Sequence, residues 1–78
     1  MAYTVDIGKG VKVFRYAKDA RKYIVQNGSR HESYEYDGTG ADYNRYWGQL
    51  HYNPSKGWIA CTRREVYLVD SEGNLKSY

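Results

Sequence analysis

The sequence contains little of what marks small metalloproteins, secreted domains and membrane proteins. With a single cysteine, Cys61, it can form no internal disulfide, and no CxxC or Cys/His cluster predicts a zinc site. No apolar run approaches the ~18 residues of a membrane span, and the first ten residues lack a signal-peptide core. We therefore expect a protein of the cytoplasm (the host cytoplasm, if phage-encoded) with no cofactor, no metal and no membrane contact.

Catalytic motifs are also missing from the sequence. There is no GxSxG or HExxH pattern, and Gly8-Lys9-Gly10 lacks the spacing of a phosphate-binding loop, so that a hairpin turn is expected there. Cys61 could act as a nucleophile with His31 or His51 as its base. Because Cys61 lies between Ala60 and Thr62 in a predicted strand, a small core residue is the simpler interpretation. We expect no enzyme and assign no catalytic residue.

The chain is rich in tyrosine for its size. Its 78 residues predict one domain, residues 1–78, and a domain of this length buries only about 60% of its unfolded surface. Ten tyrosines, two tryptophans and one phenylalanine are more rings than so small a core can hold, since a buried tyrosine also needs a partner for its hydroxyl. Several rings should therefore lie at the surface, where tyrosine is well suited to binding.

One amphipathic helix is predicted over Tyr16–Gly28. Its apolar arc comprises Tyr16, Ala17, Ala20, Tyr23 and Ile24, which we expect to pack on a sheet. Asn27-Gly28 predicts a left-handed helix end. The opposite side carries four cations, here called the helix cations: Arg15, Lys18, Arg21 and Lys22.

Short strands with turns between them account for most of the remaining chain. The predicted strands are 2–7, 11–14, 47–52, 58–62, 65–70 and 75–78, with Ser33–Tyr36 as a short edge strand. Residues 41–47 fit either a helical turn or a lead into the next strand. Ile59, Cys61, Val66 and Leu68 are expected to face the helix, and Trp58, Tyr67 and Val69 the other side. The prediction is an α+β domain with an antiparallel sheet of about four to six strands and one helix on one face.

A tyrosine-rich acidic segment, residues 33–47, is the first predicted binding site. Aromatic rings interleaved with charge and glycine are typical of contact surfaces. The residues assigned to partner binding are Tyr34, Tyr36, Asp37, Tyr43, Arg45, Tyr46 and Trp47. The alternative is that two or three of these rings cap the edge of the core.

The helix cations form the second predicted site. Four positive charges on one side of a helix can bind phosphates or an acidic protein surface. The alternative is an ordinary solvated helix face on which Asp19 pairs with Arg15 or Lys22.

Together these features predict a non-enzymatic binding protein that occludes a host protein or ribonucleoprotein complex. Small, tyrosine-rich, motif-free α+β proteins are typical of the inhibitors that phages and mobile elements direct at host machinery, anti-CRISPR proteins included. The alternative is a small nucleic-acid-binding protein that uses the helix cations and exposed Tyr or Trp rings. The chain could be a monomer or a homodimer, since an open sheet edge near Tyr78 or Tyr3 could pair with a second copy.

Overall fold

A computed structural model describes residues 2–39, 47–62 and 65–78 and shows an α+β fold. The predicted class is therefore confirmed, with one helix packed on an antiparallel sheet. The elements in chain order are β1 (Ala2–Asp6), β2 (Val11–Phe14), α1 (Ala17–Asn27), β3 (Ser33–Thr39), β4 (Trp47–Asn53), β5 (Gly57–Cys61), β6 (Val66–Val69) and β7 (Leu75–Ser77).

The strands form one sheet in the order β2-β1-β3-β4-β5-β6-β7, with every neighbouring pair antiparallel. The described residues supply seven strands to it, against the about four to six expected. Ser33–Tyr36 was predicted as a short edge strand, but β3 is seven residues long and lies between β1 and β4. Tyr3 also lies on an internal strand, and within residues 2–39, 47–62 and 65–78 the edges of the sheet are β2 and β7.

The helix begins and ends close to the predicted bounds, but neither end is as expected. Tyr16 has extended backbone angles before the first turn, and its side chain is 58% exposed instead of facing the sheet. Gly28 has a φ of −79°, so it is not left-handed. Glycine is needed there for space, because a Cβ would lie 2.6 Å from the carbonyl oxygen of Ile24 and 2.6 Å from the Tyr34 ring.

The core lies between α1 and the sheet. Ala20 and Ile24 of the predicted apolar arc are fully buried, and Ala17 and Tyr23 pack against the core at its edge. The sheet contributes residues from β1, β3, β4, β5 and β6: Val5, Tyr34, Tyr36, Leu50, Trp58, Ala60 and Val69.

The two faces of the C-terminal strands are the reverse of the prediction. Trp58 and Val69 lie in the core with the helix, and Trp58 contacts the rings of Tyr34 and Tyr52. Ile59 and Cys61 alternate with Trp58 and Ala60 and therefore point to the other side of the sheet. Strand periodicity shows which residues share a face, but it does not show which face the helix covers.

Candidate binding surface

The predicted tyrosine-rich site is divided by the fold. Tyr34 and Tyr36 are 6% and 0% exposed, so the structure buries two rings that the prediction assigned to the partner-binding surface. In β3 they alternate with Ser33 and Glu35, which are exposed, and this alternation lets a charged segment bury two rings. The Tyr34 hydroxyl donates to a carboxylate oxygen of Glu32 and accepts from the backbone N–H of Ser29.

The other five residues assigned to that site lie wholly or partly outside the described part of the chain. Tyr43, Arg45 and Tyr46 lie outside the described residues, and so do the side chains of Asp37 and Trp47. The backbones of Asp37 and Trp47 pair with each other across β3 and β4.

The helix cations are not a single exposed set. Arg21 is only 8% exposed, and its Nε donates to the carbonyl oxygen of Gly73 at 2.9 Å, so it does not lie on the exposed cationic surface to which the prediction assigned it. Lys22 is 2.9 Å from Glu72, and the hydrogen bond to that carboxylate raises the pKa of Lys22 above its ordinary value. Arg15 and Lys18 remain exposed, as predicted.

The turn between β6 and β7 provides the groups that Arg21 and Lys22 contact. Gly73 in this turn lies against the helix, since a Cβ built there would be 2.8 Å from the backbone nitrogen of Lys22 and would also collide with the carbonyl of Lys18. Gln26 adds a hydrogen bond of 3.0 Å to the carbonyl of Ser71. The helix side that the sequence predicted to be solvated is therefore partly covered by a turn about fifty residues later in the chain.

Asp70 organises that turn. Its Oδ1 accepts from the backbone N–H groups of Glu72 and Asn74, both at 2.9 Å, and its Oδ2 accepts from the side-chain amide of Asn74 at 3.2 Å. The backbone hydrogen bond from Asn74 is the largest cause that lowers the pKa of Asp70, and the side chain of Asn74, the N–H of Glu72 and the charge of Lys76 act in the same direction.

A different exposed surface lies along edge strand β2 and the chain leading into the helix. Val11 and Val13 are 65% and 64% exposed, and Tyr16 is 58% exposed. Four exposed cations recur at every third position among them, with no acidic residue from 9 to 18. We call this the β2 edge surface; its members are Lys9, Val11, Lys12, Val13, Arg15, Tyr16 and Lys18.

Strand pairing places the members of this surface. Val11 is opposite Asp6 and Val13 opposite Thr4, whereas Lys12 is opposite Val5 and Phe14 opposite Tyr3. Val5 and Phe14 belong to the helix side, so the two valines project from the face of the sheet that the helix does not cover. Arg15 lies over the ring of Tyr16, with 5.5 Å between its Cζ and the ring centroid.

The sequence signal for this surface is the spacing of Lys9, Lys12, Arg15 and Lys18. This spacing crosses from strand to helix, so a helical wheel that begins near Tyr16 captures only two of the four cations. The valines were predicted to form a strand, and they do, but their exposure depends on β2 being the last strand of the sheet.

The Cys61 thiol does not lie in the core. Its Sγ is 3.8 Å from Nδ1 of His51, and both side chains are partly exposed on the face of the sheet away from the helix. The two open grooves described on the molecule are lined by other residues, one beside Asp6 and Glu35 and one beside Phe14 and Tyr23. Neither of these two grooves is lined by Cys61 or His51.

Two further findings concern metal ions and membranes. Among residues 2–39, 47–62 and 65–78, no group of three or more His, Cys, Asp or Glu side chains is arranged to hold a metal ion. Within those same ranges no helix has the length and apolar character required to cross a bilayer.

Comparisons with protein-family models, with curated proteins and with solved structures found no match to this chain.

Proposed function

We propose that this chain is a non-enzymatic binding protein that occludes a macromolecular partner, in the manner of the inhibitors that phages and mobile elements direct at host machinery. The β2 edge surface is the contact that we assign to it. The observation that carries the proposal is the exposure of Val11, Val13 and Tyr16 on one edge strand and its extension, among four cations. Apolar rings and β-branched side chains with a charged rim are the composition of a binding surface.

The size of the molecule suits occlusion better than catalysis. An enzyme needs a concave site in which several groups act on one substrate. A binding protein needs only a stable framework behind a contact surface, and the helix, sheet and turn at 70–74 supply that framework here.

Nucleic acid is the second candidate partner, because Arg15 and Tyr16 form a stacked cation–aromatic pair next to Lys18. Such pairs bind single strands by combining phosphate contacts with base stacking. Two of the four helix cations are engaged with the 70–74 turn, however, and the exposed valines Val11 and Val13 can contact apolar side chains of a protein but not phosphates. We therefore rank a protein partner first.

The test is a pull-down of the tagged protein from a host-cell lysate, with and without nuclease, over a range of salt. Wild type is compared with Lys12→Glu/Arg15→Glu and with the matched variant Arg30→Glu/Lys56→Glu, which changes net charge equally at exposed sites away from β2. We expect wild type to recover a partner protein whether or not nuclease is added. The first variant should fail to recover this protein, and the second should recover it as wild type does.

Recovery of nucleic acid alone, lost on raising salt to about 0.2 M, would favour the second candidate instead, because counterion release makes phosphate binding strongly salt-dependent. Equal recovery by both variants would remove the β2 edge surface from the proposal.

A further inference from the structure

The two edge strands of the sheet, β7 and β2, differ in length and in charge. β7 is three residues long, and its Lys76 Nζ lies 3.9 Å from a carboxylate oxygen of Asp70. β2 is paired with β1 through all four of its residues, and no other strand of the described residues pairs with its second side. It is therefore the better formed of the two edges and the one whose charge is least balanced.

We infer that β2 takes an extended, acidic segment of a protein partner as an additional antiparallel or parallel strand. The inference rests on the proposed function and specifies how that contact is made. In strand addition, main-chain hydrogen bonds supply affinity, and alternate side chains meet neighbours on the two faces of the sheet. An added strand would bury Val11 and Val13 on one face, and on the other it would lie beside Lys12.

Charge selects an acidic segment. Residues 9–18 carry Lys9, Lys12, Arg15 and Lys18 and no carboxylate. The nearest acidic side chains on the flanking residues are Asp6, whose Oδ1 accepts from the N–H of Gly8 at 2.8 Å, and Asp19 on the helix. A strand that places its glutamate or aspartate side chains on the Lys12 face, and not on the face where Asp6 is opposite Val11, therefore meets charge of opposite sign.

The same charges argue against a second copy of this chain as the added strand. Pairing of β2 with the β2 of another molecule would bring two copies of Lys12 close together, with Lys9 and Arg15 near the strand ends, and like charges on neighbouring strands repel. Edge strands commonly carry lysine for this reason. The two exposed valines do not contribute to this protection against self-pairing. The strand of a partner would cover them.

The experiment uses a labelled short peptide of alternating valine and glutamate as the probe, with a valine–lysine peptide of the same length as its control. Binding is followed by fluorescence anisotropy, and backbone amide hydrogen exchange is followed by NMR. We expect the glutamate peptide alone to bind and to slow exchange at alternate amides of Val11–Phe14. Lys12→Glu/Arg15→Glu should weaken binding by about tenfold or more, and Arg30→Glu/Lys56→Glu should leave it unchanged.

Three results would overturn the inference. One is binding that leaves the β2 amides exchanging as before, and another is equal binding of the glutamate and lysine peptides. The third is tighter binding of a single-stranded oligonucleotide than of the peptide, with the same dependence on Lys12 and Arg15. If the pull-down still depends on Lys12 and Arg15 while the peptide fails, the proposed function stands and only strand addition is lost.

Discussion

Arg21 shows how a single side chain can leave the surface that its helix position assigns to it. By angle it lies beside Lys18 and Lys22, with the solvated side of α1. The turn at 70–74 covers that position, and the guanidinium then donates to the Gly73 carbonyl. A long cation can be buried in this way when its polar end has a partner and its stem packs on apolar neighbours.

We expect Arg21→Ala to lower the free energy of unfolding by roughly 1–3 kcal/mol, because it removes the packing of the stem and leaves a buried carbonyl without its donor. Lys18→Ala, an exposed neighbour on the same helix, should change it by less than about 0.5 kcal/mol. Urea unfolding followed by circular dichroism measures both. Equal effects of the two substitutions would mean that Arg21 behaves as a surface residue in solution.

Gly73 meets two demands at one residue. Its φ of 83° lies in the left-handed region, and a Cβ there would press on the helix backbone at Lys18 and Lys22. Gly57 has the same backbone demand, at a φ of 89°, but a Cβ there would meet nothing within 4 Å. The two glycines therefore separate backbone strain from steric contact.

Gly57→Ala should cost about 1 kcal/mol for a left-handed non-glycine residue, and Gly73→Ala should cost clearly more, because the turn must also move off the helix. Thermal and urea unfolding of the two variants measure this difference. Similar losses would show that the turn can shift away from α1 without penalty. The NMR chemical shift of the Arg21 Nε–H group reports on its hydrogen bond to the Gly73 carbonyl. A change of this shift in Gly73→Ala, but not in Gly57→Ala, would show that the contact between the turn and the helix is lost.

At the scale of elements, the 70–74 turn joins the C-terminal strands to the helix by polar contacts, in addition to the core contacts of Trp58 and Val69. It is held by Asp70, whose carboxylate accepts three hydrogen bonds from Glu72 and Asn74. These bonds favour the ionised form in the folded state and lower the pKa of Asp70 from its ordinary 3.8. The stabilisation is therefore fully present above the unfolded pKa and is lost as the pH falls through the folded pKa.

We expect Asp70→Asn to be less stable than wild type at neutral pH and to lose less further stability on acidification. Unfolding by urea at a series of pH values between about 2 and 6 measures the two curves, which should converge at the acid end. Asp19→Asn, at an exposed helix position, serves as the control and should leave the acid slope close to that of wild type. Parallel curves for wild type and Asp70→Asn would contradict the role of the carboxylate.

The sequence predicts these elements better than it predicts their arrangement. The β1–β2 hairpin, the helix and the β4–β5 hairpin follow from alternation, helical periodicity and turn residues, all of which act over a few neighbouring positions. The burial of Arg21 depends on a contact with a residue far along the chain, and no local pattern encodes it. The reversed face of Trp58 has a similar origin, since alternation is symmetric between the two faces.

The candidate site was harder to predict than the fold for the same reason. The tyrosines at 34 and 36 were assigned to binding from composition, but composition does not show that β3 is internal and that α1 lies over it. The exposure of Val11 and Val13 follows from the strand order together with the face of the sheet that the helix covers. A period-three run of cations beside alternating valines is visible in the sequence, and it acquires meaning only once β2 is known to be an edge.

At the scale of the whole molecule, the charge layout bears on self-association. The chain has a net charge of +3, and four of its twelve Lys/Arg residues lie on the β2 edge surface. An exposed edge with two bare valines is a template for pairing with another chain, and positive charge on that edge opposes such pairing. We therefore expect that wild type does not self-associate through β2. This resistance should be strongest at low ionic strength, where repulsion between the edges is least screened.

Lys12→Thr/Arg15→Thr tests this balance, because it keeps strand propensity while removing two charges. We expect the variant to self-associate at concentrations at which wild type is monomeric, as measured by sedimentation velocity. Added salt should raise association of wild type toward that of the variant, since screening acts on the same repulsion. Lys56→Thr/Arg30→Thr removes equal charge elsewhere and should remain monomeric. If both variants associate equally, net charge alone keeps the chain apart and the edge has no particular role.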